Sequence, residues 1–116
     1  MKIFYDKRPW GLEEVLTLNE LTTIKILTVE PGQRLSLQYH NHRKEFWKVI
    51  EGEAVFEING EKIEAKNGDE YNIENKMKHR LIAKDKIAKI LEISFGEFDE
   101  NDEVRLEDDY GREKEL

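Results

Sequence analysis

The sequence predicts an all-β chain, a sandwich or barrel of short strands. Turn signals punctuate the chain at Pro31-Gly32 and then, about 8 residues apart, at Gly52, Asn59-Gly60 and Asn67-Gly68. The runs between them are rich in β-branched and aliphatic residues. No stretch carries apolar residues at the helical period.

The 116 residues form one domain, 1–116, with enough chain for one modest core. Residues 1–11 hold Phe4, Tyr5, Pro9 and Trp10, and read as an aromatic N-terminal arm that packs on the barrel. Runs 12–18 and 21–29 follow, with Asn19-Glu20 as the turn between them. In the second run Thr22, Ile24, Ile26 and Thr28 alternate with Thr23, Lys25, Leu27 and Val29, which predicts a strand covered at least in part on both faces. Asn59-Gly60 lies between VFEI and EKIEA and signals a type I′ hairpin, because both turn positions need positive φ. Asn67-Gly68 repeats the signal one strand later. HRLIA and KIAKILEISF are the last strands before an acidic segment, 97–116, in which Val104, Leu106 and Tyr110 are the apolar anchors.

Composition narrows the function classes. The net charge is −7 and no long basic run is present, so nucleic-acid binding is disfavoured. No apolar run approaches a membrane span, and MKIFYDKRPWG has no signal-peptide core. A cytoplasmic protein without membrane contact is expected. Cysteine is absent, so no disulfide framework constrains the chain.

The chemistry concentrates in residues 31–52. Read as a strand, Arg34, Ser36, Gln38, His40 and His42 share one face, and Leu35, Leu37 and Tyr39 share the other. Two histidines at i and i+2 project together and can reach one ion, and Glu45 adds an oxygen just past a bend at Arg43-Lys44. His79 is the one remaining histidine and completes a mixed N/O site suited to zinc, iron, manganese or nickel. Arg34 shares the parity of His40 and His42, and its planar fork suits an anion. Trp47 is expected in the core. Glu92 lies between Leu91 and Ile93 and faces the cavity if those two pack outward.

Gly32…His40-x-His42…Glu45…Gly52, then Gly68…His79, resembles the two motifs of the cupin superfamily, and implies a double-stranded β-helix, the jelly-roll barrel. More closely, RPWG (8–11), PGQRLSLQYHNHRKEFW (31–47), HRL (79–81), LEI with FGEF (91–98) and EDDYGR (107–112) resemble type II mannose-6-phosphate isomerases. In bacteria that cupin is commonly fused behind a mannose-1-phosphate guanylyltransferase. No glycine-rich nucleotide loop precedes the motifs here, so the chain reads as the isomerase module alone. Only two residues separate His42 from Glu45, where the general motif has three or four, and Gln38 is the substitute ligand within reach.

The resemblance implies interconversion of mannose 6-phosphate and fructose 6-phosphate through a cis-enediol. A divalent metal would sit on His40, His42, Glu45 (or Gln38) and His79. Zinc stands first, with manganese, iron, nickel or cobalt as alternatives. Glu92 is the candidate base, and Arg34 and Arg80 are the candidate phosphate contacts. EDDYGR is expected to fold back on the barrel. Three other readings stay open: a metal cupin of another activity such as a dioxygenase, a sugar-phosphate-binding or regulatory module without turnover, and a structural dimerisation module. The apolar face of Leu35, Leu37 and Tyr39 suggests a homodimer.

Overall fold

A computed structural model describes residues 4–112; the ends of the N-terminal arm (1–3) and of the acidic segment (113–116) lie outside the described residues. Eleven strands form, and there is no helix among the described residues. They are β1 Phe4–Arg8, β2 Gly11–Val15, β3 Thr22–Val29, β4 Leu37–Tyr39, β5 Lys44–Glu51, β6 Ala54–Ile58, β7 Glu61–Ala65, β8 Glu70–Ile73, β9 His79–Ala83, β10 Ala88–Phe95 and β11 Val104–Glu107. β3-β10-β5-β8 make one sheet and β11-β4-β9-β6-β7 the other, while β1 and β2 pair as a separate hairpin. All recorded pairings are antiparallel.

The two sheets hold the core between them. Trp47 and Val49 of β5, Ile90 of β10, Phe56 of β6 and Leu81 of β9 are fully buried. Trp47 and Phe56 meet edge to face at 5.0 Å, an arrangement that adds to their burial. Each such side chain contributes about 1.5–3 kcal/mol through removal from water.

The turns follow the expected chemistry. Asn59 (φ 50°) and Gly60 (φ 82°) both lie in the left-handed region and join β6 to β7 in register, as a type I′ signal requires. The next turn, at Gly68, carries the chain from one sheet to the other, since β7 and β8 belong to different sheets.

Gly52 makes the crossover between β5 and β6 with φ 77°, and a Cβ there would collide with the Ile87 carbonyl oxygen. Gly52→Ala is therefore expected to cost at least about 1–3 kcal/mol, the range for a strained backbone position. Gly60→Ala has the same sign of φ but nothing within 4 Å of the new Cβ. The difference between their urea midpoints isolates the collision; equal losses would show that φ alone matters.

Several expectations change. The N-terminal arm runs as β1 and pairs with β2, and Trp10 at its tip is 72% exposed instead of packing on the barrel. Tyr5 and Glu14 hold this hairpin to the barrel through Glu70 and Lys48. The outer face of β3 is open, with Ile24 56% and Ile26 60% exposed, because it has no layer over it. Leu35 does not belong to an outward apolar face with Leu37 and Tyr39. It packs on the core, since the regular strand starts only at Leu37. In the EDDYGR segment Glu107 ends β11 opposite Leu37 of β4, and Asp108 is buried and bound by Arg112.

Candidate metal centre

The register of β5 and β10 builds one wall of the site. Glu45 stands opposite Ser94, and Trp47 opposite Glu92. Alternation along both strands places Glu45 and Trp47 with Ser94 and Glu92 on the inner side. The other wall comes from the facing sheet. His79 opens β9, paired with Gln38 of β4, and His40 follows directly after β4 ends. The core is therefore apolar along most of its length and polar at this end.

His40, Glu45 and His79 converge. Their candidate ligand atoms all lie within 4.8 Å of one another. His40 Nε2 is 3.5 Å from Glu45 Oε2, and His79 Nε2 is 3.5 Å from Glu45 Oε1. The three side chains are 1% exposed.

Both ring orientations are fixed from behind. His40 Nδ1–H donates to the Asp102 carbonyl at 2.7 Å, and His79 Nδ1–H donates to the Met77 carbonyl at 2.8 Å. A carbonyl can only accept, so each imidazole carries its proton on Nδ1 and turns the Nε2 lone pair inward. Burial lowers both histidines to about 4, which keeps them neutral at neutral pH. Burial pushes Glu45 up, with the Arg43 charge opposing.

A divalent ion fits this set. Glu45 Oε1 and His79 Nε2 are buried and have no hydrogen-bond partner, a costly condition for polar atoms. Two imidazole nitrogens and a carboxylate oxygen form a donor set that zinc, manganese, iron, nickel and cobalt accept.

His42 is not part of the cluster. β4 ends at Tyr39, so the period-2 alternation that would align His42 with His40 stops there. The backbone N–H groups of Asn41 and His42 both donate to the Asp102 carboxylate, at 2.8 and 2.9 Å, and the His42 side chain is exposed. Burial pushes Asp102 up, but those two donors hold it below the usual carboxylate range.

Arg34 is likewise turned away. Its guanidinium makes a two-pronged bond to Asp109, at 2.7 and 2.8 Å, on the surface. Arg80 is buried, yet it donates to the carbonyls of Leu35 and Glu107 and serves the fold. Gln38 borders the site and accepts a long bond of 3.4 Å from Ser36.

A cavity of about 470 Å³ lies at this end of the barrel. Gln38, Arg43, Glu92, Lys25, Phe98 and Arg105 are among the residues lining it. Burial, aided by the negative charge of Glu45, pushes Glu92 up to about 7. Phe98 carries Lys25 Nζ at 4.3 Å and the Arg43 guanidinium carbon at 4.7 Å from its ring centre.

Sequence reasoning missed two participants, Ser94 and Asp102, and left the role of a third, Arg43, open. Ser94 was readable in principle, as the inner neighbour of Glu92 at i+2. Asp102 was not, because it lies 62 residues from the histidine it orients. Arg43, next to the ligands in sequence, reads equally as a surface residue or a phosphate contact, and the structure buries it at 6% exposure against two of those ligands.

The barrel and its buried His/Glu set define the chain as a cupin. A cupin protein from Bacteroides fragilis superposes with a TM-score of 0.62 at 24% identity, covering 71% of this chain and 72% of that one. A sugar phosphate isomerase of the cupin superfamily from Silicibacter pomeroyi gives a TM-score of 0.61 at 24% identity, over 69% and 53%. Streptomyces PAC13 with uridine gives 0.68 at 17% identity, over 80% and 74%.

Within that superfamily the chain belongs to the mannose-6-phosphate isomerase C-terminal family, whose model matches residues 2–108. Mannose-1-phosphate guanylyltransferase ManC of Salmonella typhimurium is 41% identical over 108 residues, covering 90% of this chain. Xanthan biosynthesis protein XanB of Xanthomonas campestris is 36% identical over 107 residues, again covering 90%. The chain spans 22% and 23% of the length of these two relatives.

Proposed function

We propose that the chain is a divalent-metal-dependent aldose–ketose isomerase, active on its own, that interconverts mannose 6-phosphate and fructose 6-phosphate through a cis-enediol. One observation carries the reading. A buried, pre-oriented His40/Glu45/His79 set stands at the end of the barrel where Glu92 faces a cavity of about 470 Å³. Membership of the mannose-6-phosphate isomerase C-terminal family supports the choice of substrate class.

His40, Glu45 and His79 would hold the ion, with zinc first and manganese, iron, nickel or cobalt as alternatives. Such an ion supplies a Lewis acid for the sugar's carbonyl and hydroxyl oxygens, where negative charge builds as carbon loses its proton. Glu92 takes the proton from C2 and returns it to C1. A carboxyl held near 7 by burial is matched to that task at neutral pH. The phosphate role that the resemblance gives to Arg34 and Arg80 passes in this reading to Lys25 and Arg105, which line the cavity. Their hold on the remote phosphate orients the reacting carbons. The homodimer expected from the sequence belongs to the same reading, and size-exclusion chromatography with light scattering tests it.

The deciding experiment supplies zinc-loaded protein with mannose 6-phosphate and follows fructose 6-phosphate in a coupled assay. Turnover that a chelator stops and zinc restores is the expected result. Metal-loaded protein without turnover would favour the second reading, a sugar-phosphate-binding module. That reading has its own support, since Arg43 donates to both His40 and Glu45.

A further inference from the structure

Arg43 is the unusual feature of this centre. Its Nε donates to Glu45 Oε2 at 3.0 Å, and its Nη2 donates to His40 Nε2 at 3.0 Å. Its side chain is 7% exposed, and Nη1 has no hydrogen-bond partner. A guanidinium offers donors only. Through them it reaches atoms that a divalent ion would also take.

The conflict is strict at His40. An imidazole nitrogen has one lone pair in the ring plane. The Nδ1 proton is fixed by the Asp102 carbonyl, so Nε2 is the only inward acceptor of that ring. It can bind the Arg43 N–H or a metal ion, and not both. At Glu45 the conflict is partial. Oε2 receives Arg43 and a 3.4 Å bond from Ser94, while Oε1 is free and faces His79 Nε2. The centre is thus closed along its His40 side and open along its His79 side. A fixed positive charge within hydrogen-bond range of two ligands also repels an arriving cation.

We infer that Arg43 is a built-in competitor for the metal. Its guanidinium and a divalent ion occupy the His40–Glu45 edge in turn, and Arg43 thereby sets the affinity of the centre. Exchange requires a place for the displaced guanidinium. The adjoining cavity, which Arg43 already lines together with Glu92 and Phe98, provides one. Arg43 then acts as a positioning residue, since it determines whether the ligands are available. The same contacts give the metal-free chain a partner for the buried Glu45 carboxylate, which would otherwise be uncompensated.

This inference rests on the proposed metal reading of the site. Its test is zinc binding by isothermal titration calorimetry to the full chain and to Arg43→Met, with Arg43→Lys as the second variant. A state competent for binding about one-tenth of the time weakens apparent affinity about tenfold. Arg43→Met should therefore bind zinc about tenfold or more tightly than the wild type, with Arg43→Lys in between. Metal-free Arg43→Met should melt lower than the wild type and gain more from zinc. Equal or weaker zinc binding by both variants would overturn the competition, because Arg43 would then be supporting the site.

Should Arg43→Met fail to fold, the wild-type chain answers in another way. Zinc titration should displace the protected Arg43 Nε–H resonance in a nitrogen-15 spectrum, and stoichiometric zinc binding that leaves it in place would overturn the inference. His79→Ala distinguishes the two failures, since Arg43 makes no hydrogen bond to His79 Nε2. Stoichiometric zinc binding that His79→Ala leaves unchanged would sink the metal reading and the competition with it. So would the absence of zinc binding from wild type and both variants.

Discussion

Glu92→Gln is expected to lower the turnover of mannose 6-phosphate by about 10²–10⁴-fold, the usual contribution of a positioned proton-transfer group. Its affinity for metal should hold, because Glu92 is not one of the converging ligands. Gln keeps the shape and removes the titratable carboxyl. Burial first, then the charge of Glu45, raises Glu92 to about 7, while Arg43 and Lys25 work in the opposite direction. The wild-type rate should accordingly rise with pH as this carboxyl loses its proton, and the residual Gln rate should not follow. The linked stability change has a definite sign. A carboxyl whose folded value lies above its ordinary 4.5 stabilises the fold fully below 4.5 and loses that contribution as pH rises through about 7. Metal-free Glu92→Gln should thus match the wild type near pH 4 and exceed it near pH 8 by up to about 3 kcal/mol. Urea unfolding at both pH values measures this. An unchanged kcat in a metal-loaded Glu92→Gln protein would remove Glu92 from the chemistry.

What the sequence made legible, and what it hid, follow from the range of the interactions. Gly52 and Asn59-Gly60 act within a few residues, so the strand boundaries around them could be read directly. His40, Glu45 and His79 were readable because the chain's three histidines, with Glu45, fall together on the positions of the cupin motifs. His42 looked equivalent to His40 only on the premise that the strand continued. The premise fails because β4 stops at Tyr39 and Asp102 captures the next backbone N–H groups. Arg34 was assigned to the cavity by the same extended parity, and Asp109, 75 residues on, takes it instead. Arg43 stayed open between a surface and a phosphate role for a different reason. Nothing local reports that a charged bend residue will be buried against the carboxylate two positions ahead. The errors therefore gather where strands end, and where the partner comes from the 99–112 segment.

Those same errors sharpen a test of the metal centre. His79→Ala is expected to weaken zinc or cobalt binding by more than the roughly 10–100-fold that loss of a supporting hydrogen bond costs elsewhere. It removes a buried lone pair that has no hydrogen-bond partner. His42→Ala should leave binding unchanged, since that side chain is exposed. His40→Ala is the less informative choice, because it removes a ligand and the Arg43 acceptor together. Thermal shift provides a second readout. A ligand at 100 times its dissociation constant stabilises the folded state by about 2.7 kcal/mol, so the wild type and His42→Ala should gain a comparable increment with zinc. His79→Ala should gain little. It also leaves a gap against Trp47, whose ring centre lies 5.5 Å from that of His79, so its metal-free melting point should fall as well. The increment with metal, rather than the absolute melting point, is therefore the quantity to compare. If His42→Ala lost the zinc increment as fully as His79→Ala, the ligand set would have to be redrawn around the His-x-His pair.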